Sequence, residues 1–222
     1  GDEGAVVDRK RSGGVIAAPA PPIPRLALGI TGHRETNPVY AAHREQAEAV
    51  LETLFAQIDA LAAAEAETLG ALARVRLNNL LASGIDQVGA DMALRRGWEL
   101  VAPLPFGRVL NLAINAMPET QDDATALLRG AVAADAAVAA RAAAIGRSCE
   151  AARLFELAEQ DATIERMFLD SLARSADRRR LELFNAHCSE RVAVAGRVMI
   201  EQSDLVVAVW DGASRSHVGG TG

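Results

Sequence analysis

The sequence predicts an α/β fold, with helices packed on a mainly parallel sheet and an additional long helical segment. Three observations carry this expectation. Short apolar runs alternate with amphipathic stretches in the order strand, helix, strand, helix, strand through the first part of the chain. Half of the 222 residues are hydrophobic but only 4% are aromatic, so Ala, Leu and Val must do most of the packing. Polar, glycine-bearing loops follow the apolar runs, where the strands of an open parallel sheet deliver their ligand crevice.

Residues 1–24, with Gly, Asp, Lys and Arg followed by APAPPIP, cannot bury enough surface to offset chain entropy and read as a flexible tail. Residues 25–222 read as a single domain. The first strand is Leu26 to Ile30, bounded by Pro24 and by Thr31-Gly32-His33-Arg34. From Ala47 the positions Val50, Leu51, Leu54, Phe55, Ile58, Leu61 and Ala62 follow helical spacing, with Glu45, Glu48, Glu52 and Asp59 largely opposite.

Val75 to Ala82 reads as a second strand despite its two asparagines. Ser83 stands three residues before Asp86, the spacing of a capping box, and opens a helix bearing Ile85, Val88 and Met92 that Gly97 closes. Trp98 to Leu104 is a third strand, stopped by Pro105. A long helical stretch, about Glu119 to Gln202, is rich in Ala and breaks near Gly146 and Ser175. Its last part puts Leu181, Phe184, Cys188, Ala195, Val198 and Met199 on one face, with the Arg178-Arg179-Arg180 run solvated. The Ala-rich helices suit either a homo-oligomer surface or an internal core. Asp204 to Trp210 is the most β-like run, ending in Asp211-Gly212 and a loop to Gly219-Gly220-Thr221-Gly222.

The formal charge of −6 gives no general attraction to a phosphate backbone, so nucleic acid is a disfavoured partner. Cys149 and Cys188 form no CxxC, and the four histidines lack zinc spacing, which points to a reduced, metal-free, cytoplasmic protein. No apolar stretch is long enough to span a bilayer.

The candidate site gathers the strand-end loops. Gly32, His33 and Arg34 follow the first strand, Ser83 and Gly84 the second, Pro103 to Pro105 the third, and Asp211, Gly219, Gly220 and Thr221 the last. A Gly-Gly-Thr-Gly loop lets backbone N–H groups approach an anion, and Arg34 adds a charge-assisted fork. Taken alone, Gly32 or Gly84 is first a turn residue, and it is their co-location with the other loops that favours a phosphate site. His33 has the proton chemistry of an acid, a base or a phosphate donor, whereas His43 and His187 read as helix surface or satisfied residues and His217 lies in the glycine loop. Asp91 either holds a loop or meets a ligand. Asp211 either accepts from a sugar or base or caps its Asp-Gly turn. Trp210 either stacks on a base or packs in the core, and core packing is the default for a parallel strand whose faces are covered.

Together LALGITGHR, ASGIDQVGAD, APLPF and SDLVVAVWDG with GGTG resemble the SLOG superfamily, Rossmann-like domains related to Lonely Guy, DprA and YpsA-type proteins. The resemblance runs from Leu26 to Gly222. It implies a Rossmann-like three-layer fold that binds a nucleotide or nucleotide-derived small molecule at the C-terminal edge of the sheet. By motif position the ligand contacts are Gly32, His33, Arg34, Ser83, Gly84, Asp91, Asp211, Gly219, Gly220 and Thr221, with no metal. Lonely Guy enzymes carry a PGGxGTxxE loop with a catalytic glutamate, whereas VGGTG here ends the chain, so that activity is not carried over. A phosphate loop draws on a following helix, and the natural chain is expected to continue beyond Gly222. The leading expectation is a nucleotide-binding sensor or accessory domain. The alternatives are an N-glycosidic hydrolase or transferase using Asp211 or Asp91, and DprA-like single-stranded DNA binding.

Overall fold

A computed structural model describes residues 22–174 and 177–213 of the chain. The fold is an α/β, Rossmann-like three-layer arrangement built on five parallel strands. In chain order the elements are β1 (Arg25–Gly32), α1 (Pro38–Ala64), α2 (Ala66–Leu69), β2 (Arg74–Asn78), α3 (Ile85–Arg95), β3 (Glu99–Leu104) and α4 (Arg108–Asn115), followed by α5 (Gln121–Leu128), α6 (Ala136–Ala151), β4 (Arg153–Glu156), α7 (Asp161–Ser171), α8 (Arg178–Glu201) and β5 (Leu205–Val209).

The sheet order is β4-β3-β2-β1-β5, and every neighbouring pair is parallel. The chain therefore steps outward from β1 through β2 and β3 to β4, then returns to the other side of β1 as β5. The direction of winding reverses between β1 and β5, the position at whose carboxyl edge an open parallel sheet places its ligand crevice.

Alternating side chains of β1 fix the layers. Ile30 touches Gly89 of α3, whereas a Cβ on Gly29 would meet Met199 Sδ at 2.6 Å, so α3 and α8 cover opposite faces. On the α3 side, Leu28, Ile30, Leu77 and Leu100 pack with Leu51, Phe55 and Ile58 of α1 and Ile145 and Cys149 of α6. A second cluster around Phe106, Leu110, Ile164, Phe168 and Phe184 joins α4 to α8. The Ala-rich helix thus supplies internal core, with Val138, Ala142 and Ile145 buried. The Arg178 to Arg180 run is exposed.

Several local expectations are corrected. β2 stops at Asn78 rather than Ala82, because Asn79 Oδ1 accepts from Leu81 N at 2.9 Å and turns the chain, leaving Leu81 at φ 54°. α1 begins at Pro38, nine residues before Ala47, with Asn37 capping Tyr40 N at 2.9 Å, and Val50 and Leu61 face solvent. The 119–202 stretch is three separate helices after α5, with an edge strand β4 among them; Gly146 lies inside α6 and breaks nothing, and Ser175 is outside the described residues. Leu181 of α8 is exposed. No described helix is long and apolar enough to cross a membrane.

Candidate functional site

The crevice at the β1/β5 reversal is a cleft of about 940 Å³, within the range of small-molecule sites. Its walls come from the end of β1 and the loop that follows it into α1 (Thr31 to Arg34, Thr36 to Pro38), the loops after β2 and β3 (Leu80, Ala82, Pro105, Phe106), α4, α8 and the end of β5.

Gly32 and Gly84 have packing reasons to be glycine. A Cβ on Gly32 would meet the Ile85 side chain at 2.8 Å. Gly84 stands at φ 87°, and a Cβ there would come within 2.4 Å of His33 O and 2.7 Å of Glu35 N. Ile85 N donates to His33 O at 3.2 Å, so the start of α3 is pressed against the β1 loop backbone. Gly84, not Ser83, is the N-cap of α3, and Ser83 makes no capping bond. The capping-box reading fails because Asp86 turns its carboxylate back to the loop, accepting from Ala82 N at 3.2 Å.

His33 is buried, and its Nε2 accepts the Asp211 backbone N–H at 3.0 Å. That bond places the proton of the neutral ring on Nδ1. Asp211 accepts from Ala213 N at 2.9 Å, forming the turn that its Asp-Gly pair suggested, and from Asn37 Nδ2 at 3.4 Å. His33, Asn37 and Asp211 therefore tie the ends of β1 and β5 and the start of α1 into one support beneath the cleft.

The N-termini of α1 and α4 beside the cleft are already served by the protein. Asn37 caps α1, while Asp161 Oδ2 accepts from Gly107 N at 2.9 Å and Glu156 Oε2 from Arg108 N at 2.7 Å at the start of α4. Two side chains add attraction for an anion. Arg34 and Arg197 both line the cleft, are exposed, and have no side-chain hydrogen bond or ion pair among the described residues. Most other arginines near the core are committed: Arg191, for example, is buried, donates to Leu157 O at 2.7 Å and pairs with Glu159 at 2.6 Å.

Asp86 is the titratable group most altered by the cleft. Burial pushes its carboxyl up to about 7, against the opposing pull of the Ala82 and Leu80 amides and of Arg34. Cys188 also lines the cleft, but burial raises its thiol to about 12, so it is not a nucleophile at neutral pH. Trp210, expected in the core, is 51% exposed and lines the cleft instead, at the end of β5, which is the outermost strand on its side of the sheet among the described residues.

The sequence-derived site residues thus divide. Gly32, His33 and Arg34 line the large cleft, with Asp211 bonded to His33. Ser83, Gly84 and Asp91 line a separate pocket of about 160 Å³ with Glu35, Tyr40 and Arg141. The single shared rim is corrected in this respect: α3 intervenes, and Asp91, two turns along it, faces α1 and α6 rather than the cleft. Gly219, Gly220, Thr221 and His217 lie outside the described residues. Sequence reasoning missed Arg197, Asp86, Asn111 and Asn115 as cleft residues. For the asparagines a signal existed: RVLNLAIN places two amides one turn apart in an otherwise apolar segment. No group of three or more His, Cys, Asp or Glu suited to a metal ion occurs among the described residues. In comparisons with protein-family models, curated proteins and solved structures, no match is found.

Proposed function

We propose that this chain binds a phosphate-bearing small molecule, a nucleotide or nucleotide derivative, in the cleft at the carboxyl edge of the sheet, and serves as a sensor or accessory domain. The observation that carries the reading is the pair of uncommitted guanidiniums, Arg34 and Arg197, on one cleft of about 940 Å³ at the winding reversal. Arginine presents a fork of donors that matches phosphate geometry, and it stays charged at any working pH. The motif resemblance around Gly32, His33 and Arg34 supports the same ligand class.

Calorimetry with nucleoside monophosphates and diphosphates, cyclic nucleotides and dinucleotides tests it. At least one member should bind, and Arg34→Ala and Arg197→Ala should each weaken it by about tenfold or more, the worth of a charge-assisted bond. Absence of binding across the panel, or affinities indifferent to both substitutions, overturns the reading.

One observation favours a second reading, cleavage of an N-glycosidic bond. Asp86 is a cleft carboxyl poised near neutrality, the condition for a general acid or base. It takes the place of Asp91, which faces the other pocket, and of Asp211, which is bound into its turn. Release of free base from a nucleoside monophosphate, lost in Asp86→Asn, would establish it; unchanged substrate after prolonged incubation would dismiss it.

A further inference from the structure

Two asparagines of α4 hold hydrogen-bonding capacity that the fold does not use. Asn111 and Asn115 are one helical turn apart, so they lie on one face, and both line the cleft. They are 0% and 3% exposed, among the buried apolar neighbours Leu110, Ala113 and Ile114. Asn115 Nδ2 donates to the Asn111 backbone carbonyl at 2.9 Å and to Asn111 Oδ1 at 3.2 Å.

Those two bonds fix both amide orientations. Turning the Asn115 amide over would set oxygen against the Asn111 carbonyl, and with Asn115 Nδ2 as donor, Asn111 must offer its oxygen there and its nitrogen elsewhere. The atoms left over are Asn111 Nδ2 and Asn115 Oδ1, and neither has a partner among the described residues. One is a donor and the other an acceptor. A buried amide atom without a partner keeps its desolvation cost, whereas apolar side chains at the same two positions would carry none. Both atoms are closed to water, and the residues that carry them line the cleft, the side from which a bound molecule can supply the missing partners.

We propose that Asn111 and Asn115 read a planar ligand edge that carries an acceptor beside an N–H donor, the edge displayed by a nucleobase or by a ring carboxamide. This rests on the nucleotide-binding reading and names its specificity element. The charged Arg34 and Arg197 are exposed and meet the anionic end, while the neutral, buried amides meet the uncharged ring.

The test is calorimetric titration of AMP, GMP, CMP, UMP, nicotinamide mononucleotide and ribose 5-phosphate against the wild type, the double variant Asn111→Leu with Asn115→Leu, and the single variant Asn111→Ala. In the wild type at least one ring-bearing ligand should bind about tenfold or more tightly than ribose 5-phosphate, the worth of a donor and acceptor pair satisfied on binding. The preferred member separates a nucleobase from a carboxamide. In the double variant that advantage should disappear with ribose 5-phosphate binding unchanged, and the ligand-free protein should melt no lower than wild type, which a merely structural role would not allow. Asn111→Ala removes only the unpaired donor and should lose part of the advantage, which keeps the proposal open to test even if the double variant does not fold. An advantage that survives these substitutions, or that is absent from the wild type while ribose 5-phosphate binds, overturns the amide proposal and leaves the anion reading standing. Failure of every ligand, ribose 5-phosphate included, overturns the amide proposal, and failure of nucleoside diphosphates, cyclic nucleotides and dinucleotides as well overturns both.

Discussion

Replacing Asp86 by asparagine should make the ligand-free protein more stable at neutral and alkaline pH, by an amount that grows as pH rises toward about 7 and then levels off. The carboxyl is 6% exposed, and burial lifts it from 3.8 to about 7 in the folded chain. Between those two values the folded state holds a proton that the unfolded state has released, so stability falls as pH rises. The contribution is full below pH 3.8, declines toward pH 7 and is constant above it. A gap of about 3 pH units corresponds to about 4 kcal/mol in total, of which about 3 kcal/mol falls between pH 5 and pH 8. Asparagine imitates the protonated acid, offering an acceptor for Ala82 N without a charge to desolvate. Urea unfolding of both proteins at pH 5, 6, 7 and 8 measures the difference directly. The variant's advantage should widen by about 3 kcal/mol across that range. A difference that stays constant within about 0.5 kcal/mol, or that shrinks with rising pH, would refute the burial argument.

Two further substitutions probe the framework of the cleft. Gly84→Ala should cost about 3 kcal/mol or more, since it combines φ 87° with a collision against His33 O, whereas Gly70→Ala, at φ 71° with open space around it, should cost only about 1 kcal/mol; equal losses for the two in urea unfolding would contradict the close packing of α3 on the β1 loop. Asn37→Ala removes the cap on Tyr40 N and the bond to Asp211, and should lower stability by about 1–2 kcal/mol in the same assay. No loss would mean that the tie between α1 and β5 carries no load.

The sequence reveals those elements whose local pattern and tertiary role agree. β1, β3 and β5 are apolar runs closed by turn residues, and α3 follows its apolar spacing to Gly97. β4 was invisible because Arg153–Glu156 is a four-residue, largely exposed edge strand whose pairing with β3 is decided by long-range contact. β2 looked longer than it is because Asn79 spends its side chain on a turn that only the neighbouring Asp86 backbone makes stable, through Asn79 Nδ2 to Asp86 O at 2.9 Å. At the site, Arg34 was legible from its strand-end position. Arg197 was not: in α8 it looks like any helix-surface arginine, and only the crossing of α8 over β1 brings it to the cleft. Asp86 carried a helix-cap signature that the fold uses for the preceding loop instead.

Arg34 and Arg197, if the proposed function holds, act on one anionic ligand. Side-chain Nε–Hε NMR of the purified protein, titrated with nucleoside monophosphates, reports each guanidinium separately. The account predicts saturable shifts of the Arg34 and Arg197 resonances at the same ligand concentration, with Arg178, Arg179 and Arg180 unmoved. Shifts confined to the Arg178 to Arg180 run, or no shift at either cleft arginine, would contradict it.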